Sequence, residues 1–440
     1  MVPHLATALT GPLLALEKRF LDAETTIERW LRGQWLEHTP PFYCSVDLRN
    51  SGFKLAPVDT NLFPGGFNNL NPDMLPLCVQ ATMTAVEKIC PEAKNLLLVP
   101  ENHTRNQFYL MNVARLAAIL HHTGLNVRIG SLLPEIDKPT TLTLPDDQTL
   151  TLEPLQRFGS IGADGLGRRL GLANDKDFDP CAILLNNDLS AGVPALLQNL
   201  HEQFVIPPLH AGWHVRRKSQ HFAAYRRVVR EFAQLLDLDP WLLDPEFAVC
   251  GEVNFQEKSA EMRGTDCLAA NVDKLLFHIR AKYKEYGIAS TPFVVVKADA
   301  GTYGMGIMMV KDASEVKELN RRQRNKMSVG KEGLQVEEVI IQEGVPTFET
   351  VDAGVAEPVV YMIDRFVVGG FYRVHTQRGI DENLNAPGMH FKPLAFETGC
   401  TLPDSAQAPD APPNRFYAYG VVGRLALLAA ARELELNTDA

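Results

Sequence analysis

The sequence predicts an α/β half followed by an α+β half, and three observations carry that fold class. Residues 74–200 alternate helical and strand-like segments; residues 293–374 run from a strand through a glycine-rich loop to further strands; residues 42–61 form two strand-like runs about a tight turn. Strands separated by helices pair in parallel through right-handed crossovers, whereas strands that follow one another closely favour an antiparallel sheet.

Taken in order, residues 5–36 recur in apolar character at helical spacing, with Glu17, Lys18, Arg19 and Glu28 between, the pattern of an amphipathic helix or helical pair. Residues 42–48 and 53–61 alternate as strands. The Asn50-Ser51-Gly52 segment between them supplies the positive φ angles of a hairpin turn. A helix is expected at 74–89, a strand at 95–99, a helix at 107–123 and a strand at 126–131. Another strand follows at 181–186, and then a helix through 200. Residues 133–179 read as irregular, with room for a small hairpin. Helices are expected at 219–236 and 271–286, strands at 293–297, 307–310 and 339–342, and a strand pair over 359–374 meeting around Gly369 and Gly370. A proline-rich loop or lid at 403–413 precedes a last helix at 419–434. The expected organisation is a helix and hairpin at 1–70 that complete the catalytic domain, a parallel-sheet domain at 71–218, and an antiparallel domain at 219–440.

The 440 residues carry 43 Lys and Arg against 53 Asp and Glu, a net charge of −10. An acidic balance argues against a nucleic-acid coat or an anionic membrane as partner, while local basic clusters can still hold small anions. Seven cysteines are scattered without a C-x-x-C pair, so neither a disulfide framework nor a zinc site is indicated. No stretch approaches a membrane span, and the chain reads as cytoplasmic. Its oligomeric state is not legible.

The strongest chemical signal is Phe293-Val-Val-Val-Lys297-Ala-Asp-Ala-Gly301-Thr302-Tyr303-Gly304-Met-Gly306-Ile. A β-branched run delivers a lysine from a strand, and glycines then let backbone N–H groups approach phosphate oxygens. The spacing fits neither a Walker A loop nor a dinucleotide fingerprint, because no Gly-Lys-Ser/Thr follows and the glycines lead into a strand. A glycine hairpin over a triphosphate is the remaining phosphate-binding geometry; a plain β-hairpin with a surface lysine is the alternative.

This segment resembles the ATP-grasp fold, as in glutathione synthetase-like enzymes, in which two α+β lobes clamp ATP. Ile340-Ile-Gln342-Glu343-Gly-Val345 is similar to the hinge strand that reads adenine through its backbone. Tyr361-Met-Ile-Asp364-Arg-Phe-Val-Val-Gly-Gly-Phe-Tyr-Arg373 resembles the strand pair that sets an arginine against the transferred phosphate. The resemblance implies ATP held by Lys297, Gly301, Thr302, Tyr303, Gly304, Gly306, Gln342, Glu343 and Val345, with Lys297 and Arg373 catalytic.

An ATP-grasp enzyme also needs Mg²⁺, or Mn²⁺ in its place, held by a strand acid and a Glu-x-Asn on the next strand near the end of the domain. Here the chain stops just after the helix that would precede those strands. The hairpin supplies substitutes: Asp47 on one strand, Asp59 and Asn61 on the other, with Asp59 and Asn61 on one face because strand side chains alternate. The domain is therefore expected to be circularly permuted. Rival metal ligands are Glu252 with Asn254, and Asn383 with Asn385.

Over nearly its whole length the chain resembles a glutamate–cysteine ligase of the proteobacterial ATP-grasp-like family. The carrying segments are Val58-Asp-Thr-Asn-Leu-Phe-Pro-Gly-Gly-Phe-Asn-Asn69, Val99-Pro-Glu-Asn-His-Thr-Arg105-Asn, Trp213-His-Val-Arg216-Arg-Lys218-Ser-Gln-His221-Phe and Met362 to Arg373. The resemblance implies an ATP-dependent ligase that joins the γ-carboxylate of L-glutamate to the amine of L-cysteine through an acyl phosphate, the first step of glutathione biosynthesis. Other carboxylate–amine ligases, glutathione synthetase among them, and a non-catalytic ATP-binding regulatory protein stay open. Arg49, Arg105 and Arg216 are candidates for the substrate carboxylates, because a guanidinium fork pairs a carboxylate bidentately. His103, His214 and His221 lack metal spacing and read as structural or cleft-lining.

Overall fold

A computed structural model describes residues 12–145, 147–257, 263–301, 306–328, 335–394 and 415–436. The first helices are α1 (Pro12–Asp22) and α2 (Glu24–Glu37), whose Leu13, Leu16, Phe20, Ile27 and Leu31 form one buried stripe, so the helical pair is met. The hairpin follows as β1 (Tyr43–Asn50) and β2 (Leu55–Asn61). Its turn closes through Gly52, at φ +81°, whose N–H donates to Asn50 Oδ1.

The α/β half is α3 (Leu75–Ile89), β3 (Asn95–Pro100), α4 (Gln107–His122), β4 (Asn126–Ser131), β5 (Thr140–Thr143), β6 (Thr149–Ile161), β7 (Gly167–Leu172), β8 (Ala182–Asn186) and β9 (Phe204–Ile206). α4 is capped by Asn106, whose side chain accepts the Tyr109 N–H. β9, β8, β3 and β4 run parallel, β6 joins β4 in parallel, and β5 and β7 flank β6 antiparallel. Two expectations change here. The irregular stretch at 133–179 is a well-formed meander around the long β6. The helix expected after β8 is a single 3₁₀ turn at Ala195–Leu197. Gly192 and Asn199 take positive φ and Pro194 stands between them, so no helix can propagate.

The remaining elements are α5 (Lys218–Leu236), β10 (Phe247–Cys250), α6 (Thr265–Glu285), β11 (Val294–Ala298), β12 (Ile307–Val310), α7 (Ser314–Lys317), α8 (Arg321–Ser328), β13 (Val339–Glu343), β14 (Thr350–Val351), β15 (Gly354–Ile363), β16 (Phe366–His375), β17 (His390–Pro393) and α9 (Arg415–Leu436). They build two antiparallel sheets. One has the order β10-β13-β11-β12; the other runs β17-β16-β15-β1-β2, with β14 beside β15. The N-terminal hairpin thus extends a C-terminal sheet, with Asp47 opposite Val359. α9, buried over most of its length, packs behind β1, β2 and β15 and against α5.

The turn of the β15/β16 pair differs from expectation. It lies at Asp364 and Arg365, where Asp364 takes φ +49°, and not at the two glycines. Gly369, at φ +141°, marks a bulge inside β16 instead, because Tyr361 pairs with Gly369 while Met362 pairs with Val367. Cysteine usage is also corrected. Cys250 and Cys267 pair as a disulfide between the end of β10 and the first turn of α6, their Cα atoms 6.2 Å apart. The two stand 17 positions apart, and only the fold brings them together. Cys44, Cys78, Cys90 and Cys181 are free. Among the described residues no helix is long and apolar enough to cross a membrane. The loop expected at 403–413 lies outside the described residues.

Candidate active site

Strand alternation gives β1 two faces. Cys44, Val46 and Leu48 are fully buried against the core, so Ser45, Asp47 and Arg49 turn the other way, into a cavity of about 810 Å³. Asp47 stands directly opposite Asp59 in the ladder. The next register step jumps from Asp59 to Pro57, which leaves Val58 bulged and its carbonyl free of the ladder. That carbonyl accepts a hydrogen bond from Lys297 Nζ at 2.6 Å.

Lys297 arrives from β11 by the same alternation: Val294 and Val296 are buried in the core, while Val295 and Lys297 face the cavity. Its ammonium also donates to Gln342 Oε1 at 2.7 Å, from the neighbouring strand β13. Burial pulls the Lys297 pKa down to about 8, against the opposing pull of Asp59. Gln342 is 1% exposed, and its Nε2 has no partner among the described residues. Glu343 is equally buried; its carboxylate pairs with Lys54 Nζ at 2.7 Å. Gly301, Gln342, Glu343 and Val345 line the cavity, and Gly306 precedes β12 at φ +61°. Thr302, Tyr303 and Gly304 lie outside the described residues.

The opposite wall is a chain of alternating charges. Arg373, on β16, donates through Nη1 to Asp47 Oδ2 at 2.9 Å and to Glu357 Oε1 at 2.5 Å, and its Nε is buried without a partner among the described residues. Glu357, paired with Arg373 across the β15/β16 ladder, also accepts from Arg49 Nε at 2.8 Å. Arg49 spends its remaining nitrogens on the Ile380 and Glu382 carbonyls, so its fork is occupied by protein. Burial raises the Asp47 pKa, and Arg373 opposes that rise. Asp59 is held well below the usual carboxylate range against partial desolvation, by Lys218 and Lys297; Lys218 Nζ lies 2.8 Å from its Oδ1. The Arg373 pKa rises because Asp47 and Glu357 outweigh the burial that would lower it.

The remaining candidates divide. Asn61, Asn383 and Asn385 line the cavity, although Asn61 also accepts the Phe63 N–H and Asn383 the Asn385 N–H. Glu252, at φ +57° just past β10, and Asn254 lie off the cavity lining. Arg105 is exposed and outside it. Arg216 is 2% exposed and bound to Glu433 at 2.8 and 3.1 Å and to the Thr60 carbonyl. Glu433 also meets His221 Nδ1 at 3.0 Å, which makes that histidine structural. His214 packs off the cavity, and His103 lies 3.7 Å from Glu101.

Three residues escaped the sequence reading. Lys218 sits in a quoted segment, but only the fold shows it opposite Asp59. Glu357 faces the cavity two positions before Val359, a place that β15 alternation could have flagged. Lys54, at the hairpin tip, has no local signal at all.

Among the described residues no three His, Cys, Asp or Glu side chains group to hold a metal ion. A divalent cation still fits the donor set, in company with phosphate oxygens. Asp47 and Asp59 offer hard oxygen ligands side by side, each carboxylate has one oxygen outside its ion pair, and both are partly open to the cavity, at 23% and 35%. At the far end, Glu101 and Asp188 stand where β3 and β8 end, with Asn106 at the start of α4. Parallel sheets gather ligands at such carboxyl ends.

The glutamate–cysteine ligase family model matches residues 17–434. Among solved structures, a crystal structure from Methylobacillus flagellatus KT bearing the provisional description of a gamma-glutamylcysteine synthetase is 66% identical over 99% of each chain, with a TM-score of 0.87. A glutathione synthetase-like effector of Globodera pallida aligns over 83% of this chain and 81% of its own, at 9% identity and a TM-score of 0.36, too low to carry an argument. No curated protein matches the chain.

Proposed function

Since the chain belongs to the glutamate–cysteine ligase family, we propose that the cavity between the two antiparallel sheets is where it joins glutamate to cysteine at the cost of ATP. The chain is a ligase of glutathione biosynthesis, and its family uses ATP and a divalent metal. The other ligases and the non-catalytic ATP-binding protein raised by the sequence are not favoured. The observation that carries the site assignment is that Lys297, Asp47, Asp59 and Arg373, from β11, β1, β2 and β16, meet in one cavity.

The reading is of an ATP-grasp-like, glutathione-synthetase-like site in a circularly permuted domain. The extension of the C-terminal sheet by the N-terminal hairpin supports permutation. The separate sheet that carries Lys297, Gln342 and Glu343, with Val345 just past the end of β13, supports a nucleotide lobe. Lys297 pairs with the ATP phosphates and gives up the Val58 and Gln342 contacts it makes here. Arg373, fixed by Asp47 and Glu357, turns its unspent Nε toward the γ-phosphoryl group as that group moves to the glutamate γ-carboxylate. Charge neutralisation and alignment supply the rate enhancement, and no covalent enzyme intermediate is required. Asp47, Asp59 and Asn61 would hold Mg²⁺, with Mn²⁺ as a substitute; that cation screens phosphate charge. The cysteine amine then displaces phosphate from the acyl phosphate. Glutamate and cysteine occupy the end near Glu101, Asp188 and Asn106, and a reaction that consumes ATP suits the cytoplasm. The domains follow the same division, with the hairpin completing the catalytic unit.

The test is product analysis. With ATP, Mg²⁺, glutamate and cysteine the protein forms γ-glutamylcysteine and ADP; turnover only with γ-glutamylcysteine and glycine would contradict the reading.

A further inference from the structure

The tip of the β1/β2 hairpin is anchored in the opposite lobe by side chains to which the phosphoryl-transfer and amine-attack steps assign no role. Lys54 is fully buried, its Nζ 2.7 Å from Glu343 Oε2 and 4.3 Å from the Trp241 ring centroid. The Glu343 carboxylate takes two further donors, Trp241 Nε1 at 3.1 Å and the Glu246 N–H at 3.1 Å. Beside the ion pair, Phe53 stacks on Trp241 with its ring plane 5° away, and meets the edge of Tyr283 at 5.3 Å.

A buried ion pair adds little net stability, because desolvation offsets most of the Coulombic gain; its best-attested use is to fix register. Register matters at this place. Lys54 immediately precedes β2, which carries Asp59 and the bulged Val58 carbonyl that accepts from Lys297. Glu343 immediately follows Gln342, the other partner of Lys297. A slip of one residue in β2 would turn Asp59 to the opposite face. The aromatic contacts alone tolerate sliding, whereas a carboxylate with three donors holds one geometry.

Resting on the ligase reading, we propose that Lys54 and Glu343 are positioning residues of the reaction: their ion pair locks the hairpin carboxylates in place relative to Lys297. Glu343 belongs to the nucleotide lobe through its backbone, the part of a hinge strand that reads adenine; its carboxylate, spent on Lys54, Trp241 and the Glu246 N–H, touches no substrate, and neither does the Lys54 side chain. Each acts through the strand it holds.

The experiment uses the full chain with Glu343→Gln and with Lys54→Met/Glu343→Gln, which removes both charges and leaves no buried carboxylate unpaired. Thermal unfolding gives the folded fraction, calorimetry with a non-hydrolysable ATP analogue gives nucleotide binding, and γ-glutamylcysteine formation gives kcat per folded molecule. The expected result is nucleotide binding at the wild-type level with kcat per folded molecule lowered about tenfold or more, the size of effect that small misplacements produce. Wild-type kcat per folded molecule in the double variant would overturn the proposal and leave the pair a structural one. A wild-type protein that forms no γ-glutamylcysteine would instead refute the ligase reading, so the two failures are distinguishable.

Discussion

The two walls of the cavity handle charge in opposite ways. On the hairpin wall, Arg49, Glu357, Arg373 and Asp47 alternate in sign across three strands, and each is neutralised by its neighbour. On the nucleotide wall one ammonium, Lys297, stands in an apolar strand with two neutral acceptors. A paired wall holds its geometry through mutual neutralisation, while a buried cation whose hydrogen-bond acceptors are both neutral is costly until an anion arrives.

Substitutions can break that contrast, the largest effect first. Lys297→Ala removes the ammonium that β11 delivers into the cavity and lowers γ-glutamylcysteine formation by about 10²- to 10³-fold or more, in the range of other charge-stabilising groups, with the circular dichroism spectrum unchanged. Away from both walls, Arg216→Met strands Glu433, whose pKa Arg216 and His221 hold near 2 against burial, and costs about 3–5 kcal/mol in urea unfolding. Asp59→Asn raises the divalent-metal concentration for half-maximal activity by at least about tenfold.

The pH profile sharpens the comparison further. Lys297 titrates near 8 in the free protein because burial disfavours its charge. The cation is present below that value and lost above it, so affinity for ATP falls as pH rises through about 8; Lys297→Arg, which stays charged, flattens the profile measured by calorimetry. The smallest effect belongs to the exposed Lys311–Asp381 pair, where Lys311→Ala changes stability by about 0–1 kcal/mol.

The same contrast explains what was legible in the sequence. A lysine closing a β-branched run before glycines is a local pattern, so the strand that brings Lys297 to the cavity could be read directly. Asp47, Asp59 and Asn61 were legible as one hairpin face through strand alternation. Their partners were not, because Arg373 reaches Asp47 from 326 positions away and Lys218 reaches Asp59 from 159. Arg216 looked like a carboxylate fork, yet its carboxylate is Glu433 of this same chain, supplied by the last helix. The helix expected after β8 failed because three backbone-restricting residues outweighed an apolar pattern. The Cys250–Cys267 pairing had no signature in spacing.

The central claim is that hairpin carboxylates and Lys297, about 240 positions apart, serve one nucleotide–metal site. Crystals soaked with Mn²⁺ and a non-hydrolysable ATP analogue test it by anomalous scattering. The account predicts a manganese peak between Asp47 and Asp59, bridged to phosphate oxygens beside Lys297. A peak at Glu252 and Asn254, or nucleotide bound away from the hairpin, would contradict it.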